Sequence, residues 1–174
     1  MCPMWSIPVL ALVFTVAAFW WVFMRPGRLT APPPGTYATP AGPTLRLRLP
    51  LVLINRGALP CVVADLRLIV DGAHEFHWSS IRSKISPAID DFVDAAAPFC
   101  VKGRDARQIF AEFGQVPPEW RPEPGESYRV RVEARNQAGH WRRLVEFDWY
   151  APERAELMES NVVHRNAAGG GPLL

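Results

Sequence analysis

His74, Glu75 and His77, with Asp71 just before them, are the first residues in this chain whose types could do chemistry together. Imidazole nitrogens and carboxylates converging on one point hold zinc and activate a bound water. The spacing departs from the helical H-E-x-x-H motif, whose histidines stand four apart and meet on one face. Here they stand three apart, in a segment patterned as a strand. On a strand Glu75 and His77 share one face and His74 points to the other. A polar hairpin turn accounts for the same residues. A metal-dependent enzyme using His74 and His77 stays as an alternative.

Other reactive constellations are weaker. Asp90, Asp91 and Asp94 would suit calcium if a loop wrapped them, but the alternating acids, central Gly and terminal Glu of an EF-hand loop are missing. Acids in the first turn of a helix explain Asp90 and Asp91 equally well. Ser79, Ser80, Ser83 and Ser86 have no G-x-S-x-G context. No Gly-rich phosphate loop occurs, so no nucleotide, cofactor or small-molecule substrate is implied. These readings favour a protein that is not an enzyme.

Arg129, Arg131, Arg135 and Arg142 form the charge cluster of note. Alternation would put the first three on the outer face of one strand and Arg142 on the next. Such a face could contact anionic lipid headgroups, each arginine near the membrane adding about 1 kcal/mol. The alternative is a solvated face neutralised by Glu133, Glu146 and Asp148. A net charge of +2 and the lack of aromatics interleaved on that face argue against nucleic acid. Cys61 and Cys100 could form a disulfide, which would imply an oxidising compartment. As two buried thiols they would behave as small hydrophobes.

These residues need elements to position them, and the first element is an anchor. Trp5 to Met24 is apolar apart from Ser6, Pro8 and Thr15, and carries no charge. A helix needs about 20 such residues to cross a bilayer. The stretch lacks the basic start and small-residue cleavage site of a secretory signal, so an uncleaved transmembrane helix over 5–24 is expected, after a short tail over 1–4. Trp5, Trp20 and Trp21 suit the interfacial aromatic belts. Arg25 and Arg28 follow directly, so the positive-inside rule leans toward a cytoplasmic domain.

Residues 25–43 hold Pro26, Pro32, Pro33, Pro34, Pro40 and Pro43 with three glycines. That composition predicts an extended, semi-rigid spacer of polyproline type. The remainder over 44–152, about 110 residues, is the size of one domain. Leu45, Leu47, Leu49, Leu51 and Leu53 recur every second residue with Arg46 and Arg48 between them, a strand with one apolar face. Pro50 makes it an edge strand or one that switches sheets. A strand over Cys61–Val70 follows, with Val62, Ala64, Leu66, Leu68 and Val70 on one face. Asp71-Gly72 then turns the chain into Phe76–Arg82. Ser86-Pro87 and the acids after it predict a short helix start within 83–97. Arg107–Phe113 is another strand. Tyr128–Arg135 and Trp141–Trp149, joined across an Asn/Gly turn, form a hairpin. Residues 153–174 read as a flexible tail, with Glu153–Ser160 as a short helix and Asn166–Leu174 disordered.

About seven short strands spaced roughly ten residues apart indicate a mainly β domain built as an antiparallel sandwich. The segment Leu51–Pro60, an apolar strand running into Asn55-Arg56-Gly57, followed by the strand Cys61–Val70, resembles the opening of bacterial immunoglobulin-like modules of the CARDB type. A composition rich in Ala, Pro and Gly, with Arg at nearly every cationic position, fits a GC-rich bacterial gene. The resemblance implies an immunoglobulin-like β-sandwich and carries over no functional residues. The expected function is a membrane-anchored, single-pass binding or scaffold module. Its loops Asp71–Glu75, Ser83–Ala97 and Gly114–Glu126 would meet a protein partner.

Overall fold

A computed structural model describes residues 6–41, 44–86, 93–115, 120–153, 161–167 and 172–173. The apolar stretch forms helix α1 (Ser6–Phe19), which continues as a π-helical turn over Trp20–Met24. Ile7–Met24 is 18 residues without a charge, about 27 Å at the α-helical rise. Its large side chains are exposed, from Ile7 and Phe14 to Trp20 and Trp21. The Thr15 hydroxyl donates to the Ala11 carbonyl at 2.8 Å, so it needs no water. Helical geometry stops at Arg25 (φ −60°, ψ 123°), because the ring of Pro26 pushes the residue before it out of the α region. An exposed apolar helix of this kind is consistent with a membrane anchor or a signal sequence. Trp5 lies outside the described residues.

The rest is antiparallel β. In chain order the strands are β1 (Leu29–Thr30), β2 (Thr36–Ala38), β3 (Arg46–Asn55), β4 (Cys61–Val63), β5 (Asp65–Val70), β6 (His74–Arg82), β7 (Val93–Ala95), β8 (Phe99–Val101), β9 (Ala106–Gln115), β10 (Ser127–Arg135), β11 (Trp141–Tyr150), β12 (Val163–Arg165) and β13 (Pro172–Leu173). One sheet runs β11-β10-β5-β6-β9-β3-β2-β12-β13, with β1 added to β3 and β7 to β6; β4 and β8 pair separately. The sheet curls into a half-barrel around a core of Leu47, Leu49, Leu51, Leu53, Leu66, Leu68, Phe76, Phe113, Val132 and Trp149.

The expected two-sheet sandwich differs from this in its hydrogen bonding. β6 pairs with β5 on one side and β9 on the other, so the two halves are continuous through it. The mainly antiparallel β character holds. Pro50 sits inside a long strand, yet at a local edge. On its free side β2 meets β3 at Arg48 and β1 meets it at Ile54 and Asn55, leaving Pro50 in the gap. A missing N–H costs nothing there.

The expected strand Cys61–Val70 breaks at Ala64, where the chain passes from the small sheet to the large one. The alternation slips with it: Val63 is buried and Val62 exposed. The Asp71-Gly72 turn forms as expected. Both residues have positive φ (48° and 71°), and the Ala73 N–H donates to the Val70 carbonyl, the geometry of a type I′ hairpin turn. The β10–β11 hairpin also forms, with a bulge between Val132 and Glu133. The bulge turns Leu144 inward and leaves Arg143 exposed, against the simple alternation.

Two segments expected to be loose are parts of the sheet. The Pro-rich stretch supplies β1 and β2 between its prolines, and Tyr37, Ala38 and Thr39 are buried. The tail supplies β12, which pairs with β2 and buries His164 completely. Asn166 is tied in as well, accepting from the Tyr150 N–H and donating to the Asp148 carbonyl. The short helices expected after Ser86 and over Glu153–Ser160 fall mostly outside the described residues; Val93–Ala95 is strand.

Candidate functional site

β6 carries the two histidines on opposite faces, as its alternation requires. His74 faces the core side and stacks on Trp120 with ring centroids 4.6 Å apart. His77 is exposed, its Nδ1 4.0 Å from Glu75. Among the described residues no three His, Cys, Asp or Glu side chains converge as a metal cluster. Asp94 is exposed on β7, and Asp90 and Asp91 lie outside the described residues.

The outer face of β6, β5, β10 and β11 is a ladder of alternating charge. Arg129 donates to Glu146 at 3.0 Å and to Asp148 at 2.9 Å. Arg131 pairs with Glu133 at 3.0 Å, and Arg135 with Asp65 at 3.1 Å. Arg67 joins Glu133 to Glu75 and lies 4.3 Å over the Trp141 ring. Arg143 adds a second hydrogen bond to Glu146. The hydrogen bonds from Arg129 and then Arg143 hold the Glu146 carboxyl below the ordinary range, and the same contacts with Asp148 and Glu146 raise Arg129. Arg142 has no ion pair among the described residues. The face foreseen as basic is thus largely neutralised, by cross-strand pairs of opposite charge together with the within-strand pairs Arg131–Glu133 and Arg143–Glu146.

Strand register tells which end of the half-barrel each group occupies. β3 ends at Asn55 beside the helix, and β9 begins there at Ala106. Phe76 pairs with Gln115, Val70 with His74 and Val70 with Val130. Asp71, His74 and Arg129 therefore lie at the far end, and Asp65, Arg135 and Arg142 at the near end. Along β10, Arg129 and Arg135 are about 20 Å apart at the usual strand rise. The far end brings two of the three expected contact loops together. Trp120, from the loop after β9, stacks on His74 and packs edge-on against Phe76 and Tyr128. On the outer face of the same end, next to the Asp71-Gly72 turn, opens a concave patch of about 300 Å³ lined by Ile69, Asp71, Gly72, Arg129, Arg131 and Glu146. The third loop lies elsewhere: the carbonyls of Lys84, Ile85 and Ser86 accept from Arg48.

Arg48 is part of a polar cluster that sequence reasoning missed. Glu112 is 1 % exposed and receives Arg48 at 2.9 Å, Arg82 at 3.2 Å and Arg46 at 3.5 Å. The signal was available, since Arg46 and Arg48 alternate with the leucines of β3 and Glu112 with Ala111 and Phe113 of β9, on strands whose register sets Arg48 opposite Glu112. A second missed group is Tyr37, whose hydroxyl donates to the Tyr150 carbonyl at 2.7 Å and whose ring stacks on His164. Burial pushes the Tyr37 hydroxyl far above its ordinary range.

Cys61 and Cys100 are free thiols, Cys61 partly buried and Cys100 exposed, so the disulfide that the sequence left possible is not formed. In the β4–β8 register Cys61 opposes Val101 and Val62 opposes Cys100. Directly opposed residues share a face, so the two thiols sit on opposite faces of the pair. Burial, then the neighbouring Cys100, pushes the Cys61 thiol up, against a smaller opposing effect of Arg142.

The near end is fastened to the helix. The Arg25 carbonyl accepts from the N–H groups of Ala58 (2.9 Å) and Leu59 (3.1 Å), and the Arg28 carbonyl accepts from Arg56 (3.0 Å). The Asn55 side chain ties the same turn together, accepting from the Arg28 and Gly57 N–H groups and donating to the Leu59 and Lys102 carbonyls. The Arg104 guanidinium donates to the Trp21 and Val22 carbonyls, which a helix C-terminus otherwise leaves unpaired. Arg25 lies 4.4 Å over the Trp21 ring. Neither a protein-family model nor a curated protein sequence matches this chain.

Proposed function

We propose that this chain is a non-catalytic, single-pass membrane protein. The helix ending at Met24 anchors it, and the half-barrel presents its far end to a protein partner. The observation that carries this reading is the junction at Arg25. The hydrogen bonds from Ala58 and Leu59 to its carbonyl, and from Arg104 to Trp21 and Val22, make the helix end and the domain one continuous structure. A signal sequence awaiting removal has no need of such bonds, so they support an uncleaved anchor. Arg25 and Arg28 on the exit side support a cytoplasmic domain. The immunoglobulin-like kinship belongs to the same proposal. It is supported by the Leu51–Val70 segment, where an apolar strand, the Asn55 turn and a sheet-switching second strand follow in order.

The partner contact falls at the loops carrying Asp71–His74 and Trp120, next to the concave patch with Arg129 and Arg131. Loops on a rigid sheet are where recognition usually sits. A photo-crosslinking residue placed at Ala73 of the full chain in cells should give a discrete adduct, and Arg129→Glu with Arg131→Glu should abolish it. The same residue at Gln108, near the anchor, should give no such adduct. Equal adducts at both positions, or none at Ala73, contradict the reading.

A further inference from the structure

We infer that the half-barrel also rests on the bilayer through a second, peripheral contact. The turn Arg56–Pro60, the turn Lys102–Asp105 and the outer face of β4–β8 form a surface for anionic phospholipid headgroups of the leaflet from which the helix emerges. The inference rests on reading the helix as a spanning anchor.

Geometry fixes the depth of these turns. Leu59 is one hydrogen bond from the Arg25 carbonyl, a single residue past the helix. Arg104 reaches back to carbonyls of Trp21 and Val22, within the helix itself. If Trp20 and Trp21 occupy the interfacial belt, these two turns stand at headgroup level, held there by those hydrogen bonds. Three glycines make that closeness possible. A Cβ at Gly57 would overlap the Pro26 carbonyl, one at Gly103 the Ala58 carbonyl, and one at Gly27 the Leu59 carbonyl and the Cys61 sulfur.

The chemistry of the surface matches a bilayer interface. Among the described residues, the large apolar side chains exposed outside the helix are Leu59 (41 %) and Val62 (37 %), and both lie here. Around them stand Arg28, Arg56, Lys102, Arg104 and Arg107, all exposed. None of the five has an ion pair among the described residues, in contrast to Arg129, Arg131, Arg135 and Arg143 on the charge ladder. Asp105 is the acid among them, and its carboxylate accepts from the Ala106 N–H. Cations without a carboxylate partner around two apolar side chains, held at the foot of a membrane helix, fit phosphate headgroups and the upper acyl region.

Depth-dependent quenching of an environment-sensitive label tests this. The full chain, with Cys2, Cys61 and Cys100 replaced, carries one labelled cysteine at Phe14, Leu59 or Ala73. It is reconstituted in vesicles of phosphatidylcholine, alone or mixed with phosphatidylglycerol. Deep spin-labelled lipid should quench the label at Phe14, which checks the anchor. Shallow spin-labelled lipid should quench the label at Leu59 severalfold more than the one at Ala73. Phosphatidylglycerol should increase the Leu59 effect, high salt should reverse that increase, and Arg56→Glu with Lys102→Glu should abolish it. A Leu59 label that behaves like the Ala73 label while Phe14 is quenched overturns the inference and leaves the anchor standing. An unquenched Phe14 label overturns both.

Discussion

The backbone N–H of Leu59 donates to the carbonyl of Arg25 across 3.1 Å, joining the first turn of the domain to the first residue after the helix. The contact demands that two backbones approach without side chains between them. Gly57→Ala would drive a Cβ into the Pro26 carbonyl, whereas a Cβ at Gly114 meets nothing within 4 Å. Backbone cannot step aside as a side-chain tip would. Gly57→Ala should therefore cost about 1–3 kcal/mol, the usual cost of overpacking, while Gly114→Ala changes little. Thermal unfolding in detergent distinguishes them, and equal midpoints for the two variants would contradict the junction.

Glu112 offers a test of the polar cluster. It is the carboxylate for Arg46, Arg48 and Arg82, and both it and Arg48 are almost fully buried. Removing one partner of a buried pair leaves uncompensated charge and typically costs about 3–5 kcal/mol. Glu112→Gln should lower the unfolding free energy by that order, read as a lower denaturant midpoint. A midpoint within error of the parent protein would show that the cluster is not closed.

The two thiols should behave differently. Cys100 is exposed, while Cys61 faces inward with its thiol pushed up by burial and by Cys100. Since the folded state favours the neutral Cys61 thiol, its stabilising contribution is complete below the ordinary thiol range and is lost as pH rises through the raised value. Mass spectrometry after brief alkylation near neutral pH should find Cys100 modified first and Cys61 only at higher pH. Equal rates, or a Cys61–Cys100 disulfide in the folded protein, would contradict the register of β4 and β8.

Glu146 titrates in the opposite sense. Arg129 and Arg143 depress it, so its contribution is present above the ordinary Glu range and is lost as pH falls through the lowered value. Carboxyl NMR should show Glu146 titrating below the ordinary Glu range, and Arg129→Ala should move it upward. An unmoved titration in that variant would mean the pairing is absent in solution.

Much of the half-barrel was legible because its signals are local. Asp71-Gly72 fixes one hairpin and the Asn136–Gly139 turn another, and the leucines of β3 declare its inner face. The departures come from pairings distant in sequence. Nothing in Tyr37 and Ala38 announces that His164, well over a hundred residues on, will cover them, so a Pro-rich stretch read as a spacer and the tail read as disordered. Prolines there punctuate short strands instead of abolishing them. The bulge that buries Leu144 and the sheet switch at Ala64 each shift a period-two pattern by one residue, which alternation alone does not reveal. At the candidate site, the opposite faces of His74 and His77 followed from strand period. The meeting of His74 with Trp120 required the fold.

The central claim is that the apolar helix stays on the chain and holds the half-barrel to the membrane. Intact mass of a C-terminally tagged chain, recovered from membranes washed with alkaline carbonate, tests it most directly. The account predicts a carbonate-resistant protein that retains Met4 to Met24. A carbonate-soluble protein that begins after Met24 would contradict it.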